Sequence, residues 1–106
     1  MIPGATQAQI AALHELCRRF GVERLELFGS AATPRFEPER SDLDFAVTFQ
    51  RECPPNVSGR FEQYFGFREG LIALFNRPVD LVEPHAIRNP EFRRAIRDTT
   101  RLLYAA

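Results

Sequence analysis

Five residues in three motifs are of the types that bind phosphate and divalent metal ions. Gly29-Ser30 ends one predicted strand, Asp42 and Asp44 flank a leucine at the start of the next, and Asp80 lies in a short third strand. Side chains at alternate strand positions point the same way, with Cα atoms roughly 6.6 Å apart, so the carboxylates of Asp42 and Asp44 can converge. Magnesium is usually bound by one or two carboxylates together with substrate phosphates. The pattern therefore predicts phosphoryl chemistry at a magnesium site, completed by Asp80 from another strand.

The Gly29-Ser30 turn suits the phosphate side of such a site. Glycine lets backbone N–H groups approach phosphate oxygens closely, and a hydroxyl follows at once. The chain has no lysine, because all fourteen of its basic side chains are arginines. A lysine-based phosphate grip and a lysine Schiff base are thereby excluded. A triphosphate would be held by backbone amides, serine, metal and arginine.

Each motif also has a plain structural interpretation. Asp42 and Asp44 could form a solvated strand face, as exposed acidic residues mostly do. Glu83 is a nearby alternative to Asp80. Gly-Ser alone or Asp-x-Asp alone is weak evidence, whereas all three motifs in order at strand ends form a more specific signal.

Length and charge bound the class of protein. A chain of 106 residues is expected to form a single domain, residues 1–106. Fourteen arginines balance fourteen acidic residues, so the cationic surplus typical of strong nucleic-acid binding is missing. No stretch has the roughly 18 apolar residues of a membrane span and no signal peptide is recognisable, which predicts a cytoplasmic protein. Two distant cysteines and two histidines do not form a zinc-site pattern.

The N-terminal half is predicted to contain one helix and two strands. Thr6 begins a capping-box pattern, and apolar residues then recur at helical spacing until Gly21. Alternating apolar residues predict a strand over Val22–Phe28 and a second over Asp42–Phe49. Residues 31–41, with two prolines, are predicted to form mostly loop.

The C-terminal half is predicted to contain a helix of about four turns between Phe61 and Phe75. Gly66 and Gly70 inside it indicate a kink or close packing of the backbone. Its phenylalanines are expected in the core, or on a contact surface if the helix is incompletely covered. A third strand follows over Val79–Glu83. Asn89 then caps a last predicted helix, whose core-facing residues are Phe92, Ile96 and Leu103.

The predicted order is therefore helix, strand, strand, helix, strand, helix. This order favours an α/β fold of the two-layer α+β type, with helices packed on a small mixed sheet. The strand order within the sheet cannot be derived from these patterns.

The three motifs resemble those of the polymerase β-type nucleotidyltransferase superfamily, and most closely those of its minimal nucleotidyltransferases. The family pattern is a strand ending Phe-Gly-Ser, then Ser-Asp-x-Asp, then Val-Asp followed by an apolar residue. The matching segments are Phe28-Gly29-Ser30, Ser41-Asp42-Leu43-Asp44 and Val79-Asp80-Leu81. The resemblance covers nearly the whole chain and implies the nucleotidyltransferase fold.

The resemblance also implies a reaction, in which a nucleoside monophosphate is transferred from ATP or another NTP to a hydroxyl with release of pyrophosphate. Two magnesium ions would be bound by Asp42 and Asp44, and one of them also by Asp80, which would help to activate the acceptor oxygen. The implied nucleotide-binding residues are Gly29, Ser30, Ser41 and Arg35.

Arg35 departs from the family pattern. Members of the family usually follow Gly-Ser with one or two small residues and then Arg-Gly. Here Arg35 comes later, after Ala31-Ala32-Thr33-Pro34, and is followed by phenylalanine instead of glycine. The role of Arg35 therefore rests on a shifted match.

The family further implies a partner, since minimal nucleotidyltransferases are commonly paired with a small helical HEPN toxin. The transferase then acts as the antitoxin and can add AMP to a tyrosine of the toxin. The alternative is an inactive binding module that neutralises a HEPN-type partner by contact alone. Homo-oligomers and hetero-oligomers both remain open.

Overall fold

The structure is a computed structural model that describes residues 5–28, 43–84, 89–91, 94 and 100–106. Its helices and strands follow one another along the chain as α1 (Gln7–Arg19), β1 (Val22–Phe28), β2 (Leu43–Phe49), α2 (Arg60–Phe75), β3 (Val79–Val82) and β4 (Arg101–Ala105).

The described strands form one mixed sheet with the order β3-β2-β1-β4. β1 pairs antiparallel with both β2 and β4, whereas β2 pairs parallel with β3. α1 contacts β1 and α2, and α2 contacts β3, so both helices pack on the sheet. This arrangement confirms the predicted two-layer fold with helices on a small mixed sheet.

Alternate positions of the central strands bury their side chains beneath the helices. Leu25 and Leu27 of β1 and Phe45 and Val47 of β2 are all inaccessible to solvent. They pack with Phe67 and other apolar residues of the helices in one continuous core. The burial of these side chains fixes which face of each strand turns toward the helices.

The two glycines inside α2 lie where this helix contacts α1. A Cβ atom at Gly66 would lie 2.6 Å from Cε1 of Phe20, and one at Gly70 would lie 2.7 Å from Cδ1 of Leu16. Side chains larger than hydrogen at these positions would push the helices apart. Close packing, one of the two interpretations of these glycines, is therefore confirmed.

The ends of α1 also follow the sequence. The Thr6 hydroxyl accepts from the Gln9 backbone N–H, and the Gln9 side chain accepts from the Thr6 N–H, which confirms the capping box. Gly21 follows the helix with φ of 69°, a conformation that glycine adopts without steric cost. Within α1, Cys17 is fully buried, and burial raises the pKa of its thiol to about 12.

The prediction that a last helix extends to Leu103 was wrong, because residues 101–105 form the strand β4. Leu25 pairs with Tyr104 and Leu27 with Arg101, so β4 satisfies the outer edge of β1. Leu103 lies at a bulge in this ladder, and its carbonyl oxygen is 3.1 Å from Nε2 of His14. A short apolar run such as that of residues 102–104 fits the periodicity of a helix or of a strand. Here it forms a strand, because it pairs with the edge of β1, which is distant in sequence.

The start of the predicted last helix is described only in part. Asn89 accepts a hydrogen bond from the Glu91 N–H, as an N-cap residue does, and Pro90, Glu91 and Arg94 are helical. The predicted core residues Phe92 and Ile96 lie outside the described residues. No helix in the described part of the chain has the length and apolar character needed to cross a membrane.

Candidate active site

Asp44 and Asp80 lie side by side on two neighbouring parallel strands. Each is the second residue of its strand, and the two are partners in the β2–β3 ladder. Adjacent strands are about 4.8 Å apart, so the two side chains leave the sheet as close neighbours on the same face. Asp44 is half-buried and Asp80 is exposed. Two residues far apart in sequence thus become one pair of carboxylates.

The surrounding apolar residues determine the direction of both carboxylates. Leu43 and Phe45 flank Asp44, Val79 and Leu81 flank Asp80, and all four are buried. Since successive residues of a strand point to opposite faces, Asp44 and Asp80 must lie on the face away from these core side chains. We call this side of the sheet the carboxylate face.

Backbone pairing holds the first residues of the two strands together. The Leu43 N–H donates to the Pro78 carbonyl oxygen at 3.1 Å, immediately before the two aspartates. On the other side of β2, Asp44 is the ladder partner of Phe28, the last residue of β1. The Gly29-Ser30 motif therefore follows in sequence directly after the residue that pairs with Asp44.

Five of the sequence-predicted site residues are not among those that the structure describes. They are Gly29, Ser30, Arg35, Ser41 and Asp42. Their predicted roles stay predictions. Of the two alternatives for the third carboxylate, Asp80 is the ladder partner of Asp44, whereas Glu83 lies beyond the end of β3.

The donor set of the site suits a hard divalent cation. Among the described residues, no group of three or more His, Cys, Asp or Glu side chains could hold a metal ion. The Asp44 and Asp80 pair by itself provides two carboxylates on one face, which is the protein contribution that magnesium commonly uses beside substrate phosphates. The residues present therefore fit a magnesium ion whose remaining ligands come from substrate and water.

A cavity of about 380 Å³ lies beyond the carboxyl ends of β2 and β3. It is bounded by the end of β2, the connector after it, the first turns of α2 and the residue after β3. The lining residues are Phe49, Gln50, Arg51, Arg60, Gln63, Tyr64 and Glu83.

Buried Gln63 organises one wall of this cavity, and the sequence analysis missed it. Its Nε2 donates to the Phe20 carbonyl oxygen at 2.8 Å, and its Oε1 accepts from Nη1 of Arg60 at 2.7 Å. Arg60 also donates to the carbonyl oxygens of Gln50 and Arg51. The guanidinium thus ties the connector to α2. The one sequence signal for this burial is that position 63 precedes the buried positions 67, 71 and 75 at helical spacing.

Tyr64 is the titratable residue of the cavity whose pKa is displaced. Burial raises the pKa of its phenol, and the carboxylates of Glu83 and Asp80 raise it further, while Arg68 opposes them. The hydroxyl donates to the Leu81 carbonyl oxygen. Both effects keep the phenol protonated, so it acts as a hydrogen-bond donor that ties α2 to β3.

Comparison with known proteins identifies the family of the chain. Residues 11–103 match the nucleotidyltransferase domain family. The chain belongs to that family. This nucleotidyltransferase is also 30% identical over 80 residues to a protein of Methanocaldococcus jannaschii that is provisionally named a protein adenylyltransferase. The match covers 76% of this chain and 75% of that protein.

Solved structures repeat the fold of this nucleotidyltransferase. A provisionally assigned minimal nucleotidyltransferase superposes with a TM-score of 0.69 and 26% identity, covering 90% of this chain and 89% of that one. A toxin–antitoxin structure with AMP-PNP gives 0.66 and 18%, covering 92% and 73%. A complex of tri-AMPylated Shewanella oneidensis HEPN toxin with MNT antitoxin gives 0.61 and 17%, covering 94% and 72%. The two toxin–antitoxin structures establish likeness of fold alone.

Proposed function

We propose that this nucleotidyltransferase transfers a nucleoside monophosphate from an NTP to a hydroxyl on a HEPN toxin, and so acts as an antitoxin. AMP is the group that we propose it transfers. The observation that carries the proposal is the placement of Asp44 and Asp80 as ladder partners on the carboxylate face. Membership of the nucleotidyltransferase domain family supports the reaction class.

The proposed step exchanges the phosphoanhydride bond between the α- and β-phosphates for a phosphate ester bond. The acceptor hydroxyl oxygen forms a bond to the α-phosphorus, and the bond from that phosphorus to the bridging oxygen breaks, releasing pyrophosphate. Asp80 orients the acceptor hydroxyl and favours the transfer of its proton to solvent water. Gly29, Ser30, Ser41 and Arg35 bind the nucleotide in this proposal.

Asp42, Asp44 and Asp80 are the proposed ligands of two magnesium ions. When bound, these ions would offset negative charge on the phosphate oxygens and lower the pKa of the attacking hydroxyl. The two described carboxylates provide the oxygen donors that this chemistry requires.

Two similarities support a protein as the acceptor. The M. jannaschii relative carries the provisional name of a protein adenylyltransferase. One structural neighbour is a complex of an AMPylated HEPN toxin with its MNT antitoxin. We infer the same class of acceptor for this chain.

Transfer of label from α-labelled ATP to a purified HEPN partner in the presence of magnesium tests the proposal. Wild-type protein should label the partner, and the double variant Asp42→Asn, Asp44→Asn should not. Glu23→Gln, which neutralises an exposed carboxylate on β1, is the matched control and should keep full activity. Equal labelling by the double variant, or none by wild type, would overturn the proposal.

The same double variant separates the proposal from the binding-module alternative. If the variant still neutralises the toxin in cells as well as wild type does, contact is sufficient and transfer is not needed. Neutralisation that disappears together with labelling supports the enzymatic antitoxin.

A further inference from the structure

Two phenylalanines of α2 project into solvent on the outside of the helix layer. Phe61 is 77% exposed and Phe65 is 43% exposed, and their ring centroids are 4.6 Å apart. Phe67 and Phe75 of the same helix are buried. Exposed aromatic side chains in contact with each other are unusual on a soluble surface and commonly mark a protein contact.

The exposed pair continues into a stripe along α2. Phe61, Phe65, Arg68 and Ile72 follow one another at spacings of four, three and four residues. At 100° per residue these positions fall within an arc of about 60°. Arg68 and Ile72 are half-buried, so the stripe is most exposed at its N-terminal end. We call these four residues the α2 seam. Such a seam has the spacing with which one helix packs against another.

Two acidic residues border the seam on one side. Glu62 and Glu69 are exposed and lie about 80° around the helix from its centre. The Ser58 hydroxyl and backbone N–H donate to the Glu62 carboxylate, and these hydrogen bonds lower its pKa. Glu62 therefore stays ionised at neutral pH. The border is thus acidic, although Arg68 of the seam partly balances Glu69, whose Oε1 lies 3.8 Å from the Arg68 Nη1.

This charge pattern disfavours a second copy of the chain as the occupant. In an antiparallel pair of α2 helices about a two-fold axis, the Glu62 and Glu69 border of one copy meets the same border of the other. A parallel pair would place Arg68 against Arg68. Both arrangements oppose like charges, whereas a different helix with basic residues beside its apolar stripe would complement the seam.

We propose that the α2 seam is the docking surface for a helix of the helical toxin, one with an apolar stripe bordered by arginine or lysine. This inference rests on the proposed function for the identity of the partner. α2 packs on the core side of the sheet, whereas Asp44 and Asp80 lie on the carboxylate face. Docking at the seam and transfer at the carboxylates therefore depend on different residues of the chain.

Affinity for the purified HEPN partner, measured by titration calorimetry, tests the seam. The variant Phe61→Ser, Phe65→Ser should bind at least about 30-fold more weakly, since aromatic anchors of an interface are worth about 2 kcal/mol or more. Ala11→Ser, at an exposed position of α1, is the control and should bind as wild type does. Thermal unfolding of each variant shows whether the fold is retained.

The border is tested by salt and by charge removal. The double variant Glu62→Gln, Glu69→Gln should weaken binding several-fold and make it less dependent on ionic strength. The reason is that this variant removes an electrostatic attraction that salt screens. Binding that is unchanged in both the serine and the glutamine variants would overturn the docking proposal. A wild-type dimer that dissociates on Phe61→Ser, Phe65→Ser, seen by analytical ultracentrifugation, would assign the seam to a second copy instead.

The docking and transfer proposals can fail independently. Asp42→Asn, Asp44→Asn should lose labelling and still bind the partner, because its seam is intact. Tight, seam-dependent binding without any labelling by wild type would overturn the proposed function alone. Labelling with binding that ignores the seam would overturn the docking proposal alone.

Discussion

Adjacent residues of β2 belong to two regions with different tasks. Phe45 is inaccessible to solvent, and its ring stacks on that of Phe75 with centroids 6.2 Å apart. Asp44, one position earlier, lies on the carboxylate face beside Asp80. The buried side chains of β2 stabilise the sheet. Because they face the helices, the side chains between them, including that of Asp44, face the opposite side. Residues that stabilise the fold and the residue proposed to act in the reaction therefore occupy alternate positions of β2, because successive side chains of a strand point to opposite faces.

The largest effect is expected from Asp44→Asn, and it should be confined to activity. The change keeps the shape of the side chain and removes its charge, so turnover should fall roughly 1,000-fold, as expected for a loss of several kcal/mol of charge stabilisation. The free energy of unfolding should change by less than about 1 kcal/mol. Labelled-nucleotide turnover and urea unfolding measure the two quantities. A large loss of stability would show that Asp44 also supports the fold.

Phe45→Ala should have the opposite signature. Removing a fully buried phenylalanine costs about 3–5 kcal/mol of folding free energy, which is much of the stability of a small domain. Turnover per folded molecule should remain near that of wild type below the unfolding transition. Phe61→Ala, which removes an exposed ring, is the control and should cost less than about 0.5 kcal/mol. If turnover per folded molecule also collapsed, the separation between the two sides of β2 would not hold.

Gly66→Ala is expected to have an intermediate effect on stability. The added Cβ would lie 2.6 Å from the buried Phe20 ring, so we expect a cost of about 1–3 kcal/mol despite the better helix propensity of alanine. Gly70→Ala should cost less, because its nearest neighbour is the flexible end of half-buried Leu16. Urea unfolding ranks the two variants, and the reverse order would contradict this explanation of the helix contact.

Local patterns were sufficient for most of the fold. The capping box at Thr6 and the alternation in β1 and β2 are determined by neighbours in sequence, and each prediction was confirmed. The glycines of α2 predicted a kink or close packing, and only the contact with Phe20 and Leu16 shows that packing is the reason. The start of α2 at Arg60 was less visible, since its N-cap Gly59 makes no side-chain capping bond. β4 was missed because its partner strand is distant in sequence, and an open sheet edge leaves no mark in a local pattern.

The candidate site could be predicted from the sequence only in part. Alternation places Asp44 on the face away from the core, but it cannot show that β3 lies parallel to β2 with Asp80 in register. The sequence pattern predicted only that Asp80 completes the site from another strand, and the β2–β3 ladder then paired it with Asp44. Gln63 was missed for the opposite reason. A glutamine is polar in any pattern, and its burial depends on the carbonyl of Phe20 and the guanidinium of Arg60, which folding brings to it.

The smallest effect is expected at the solvent edge of α2, where Glu62 links charge to stability. Hydrogen bonds from Ser58 lower the pKa of Glu62 below its ordinary value, and a negative charge also suits the first turn of a helix. A lowered pKa means that the ionised carboxylate stabilises the fold above the unfolded-state pKa, and this contribution disappears as pH falls through the folded-state pKa. Glu62→Gln should therefore melt below wild type at pH 7, and the gap should close as the solution is acidified below about pH 4.

The Ser58→Ala background is the control for this linkage. In that background, the difference in melting temperature at pH 7 between the protein that keeps Glu62 and the Glu62→Gln variant should narrow. The reason is that one of the two hydrogen bonds that favour the ionised carboxylate is gone. Melting temperatures across the pH range give the difference in both backgrounds. A difference in melting temperature that stayed constant with pH would mean that Glu62 acts through packing or hydrogen bonding alone and that its charge contributes nothing to the stability of the fold.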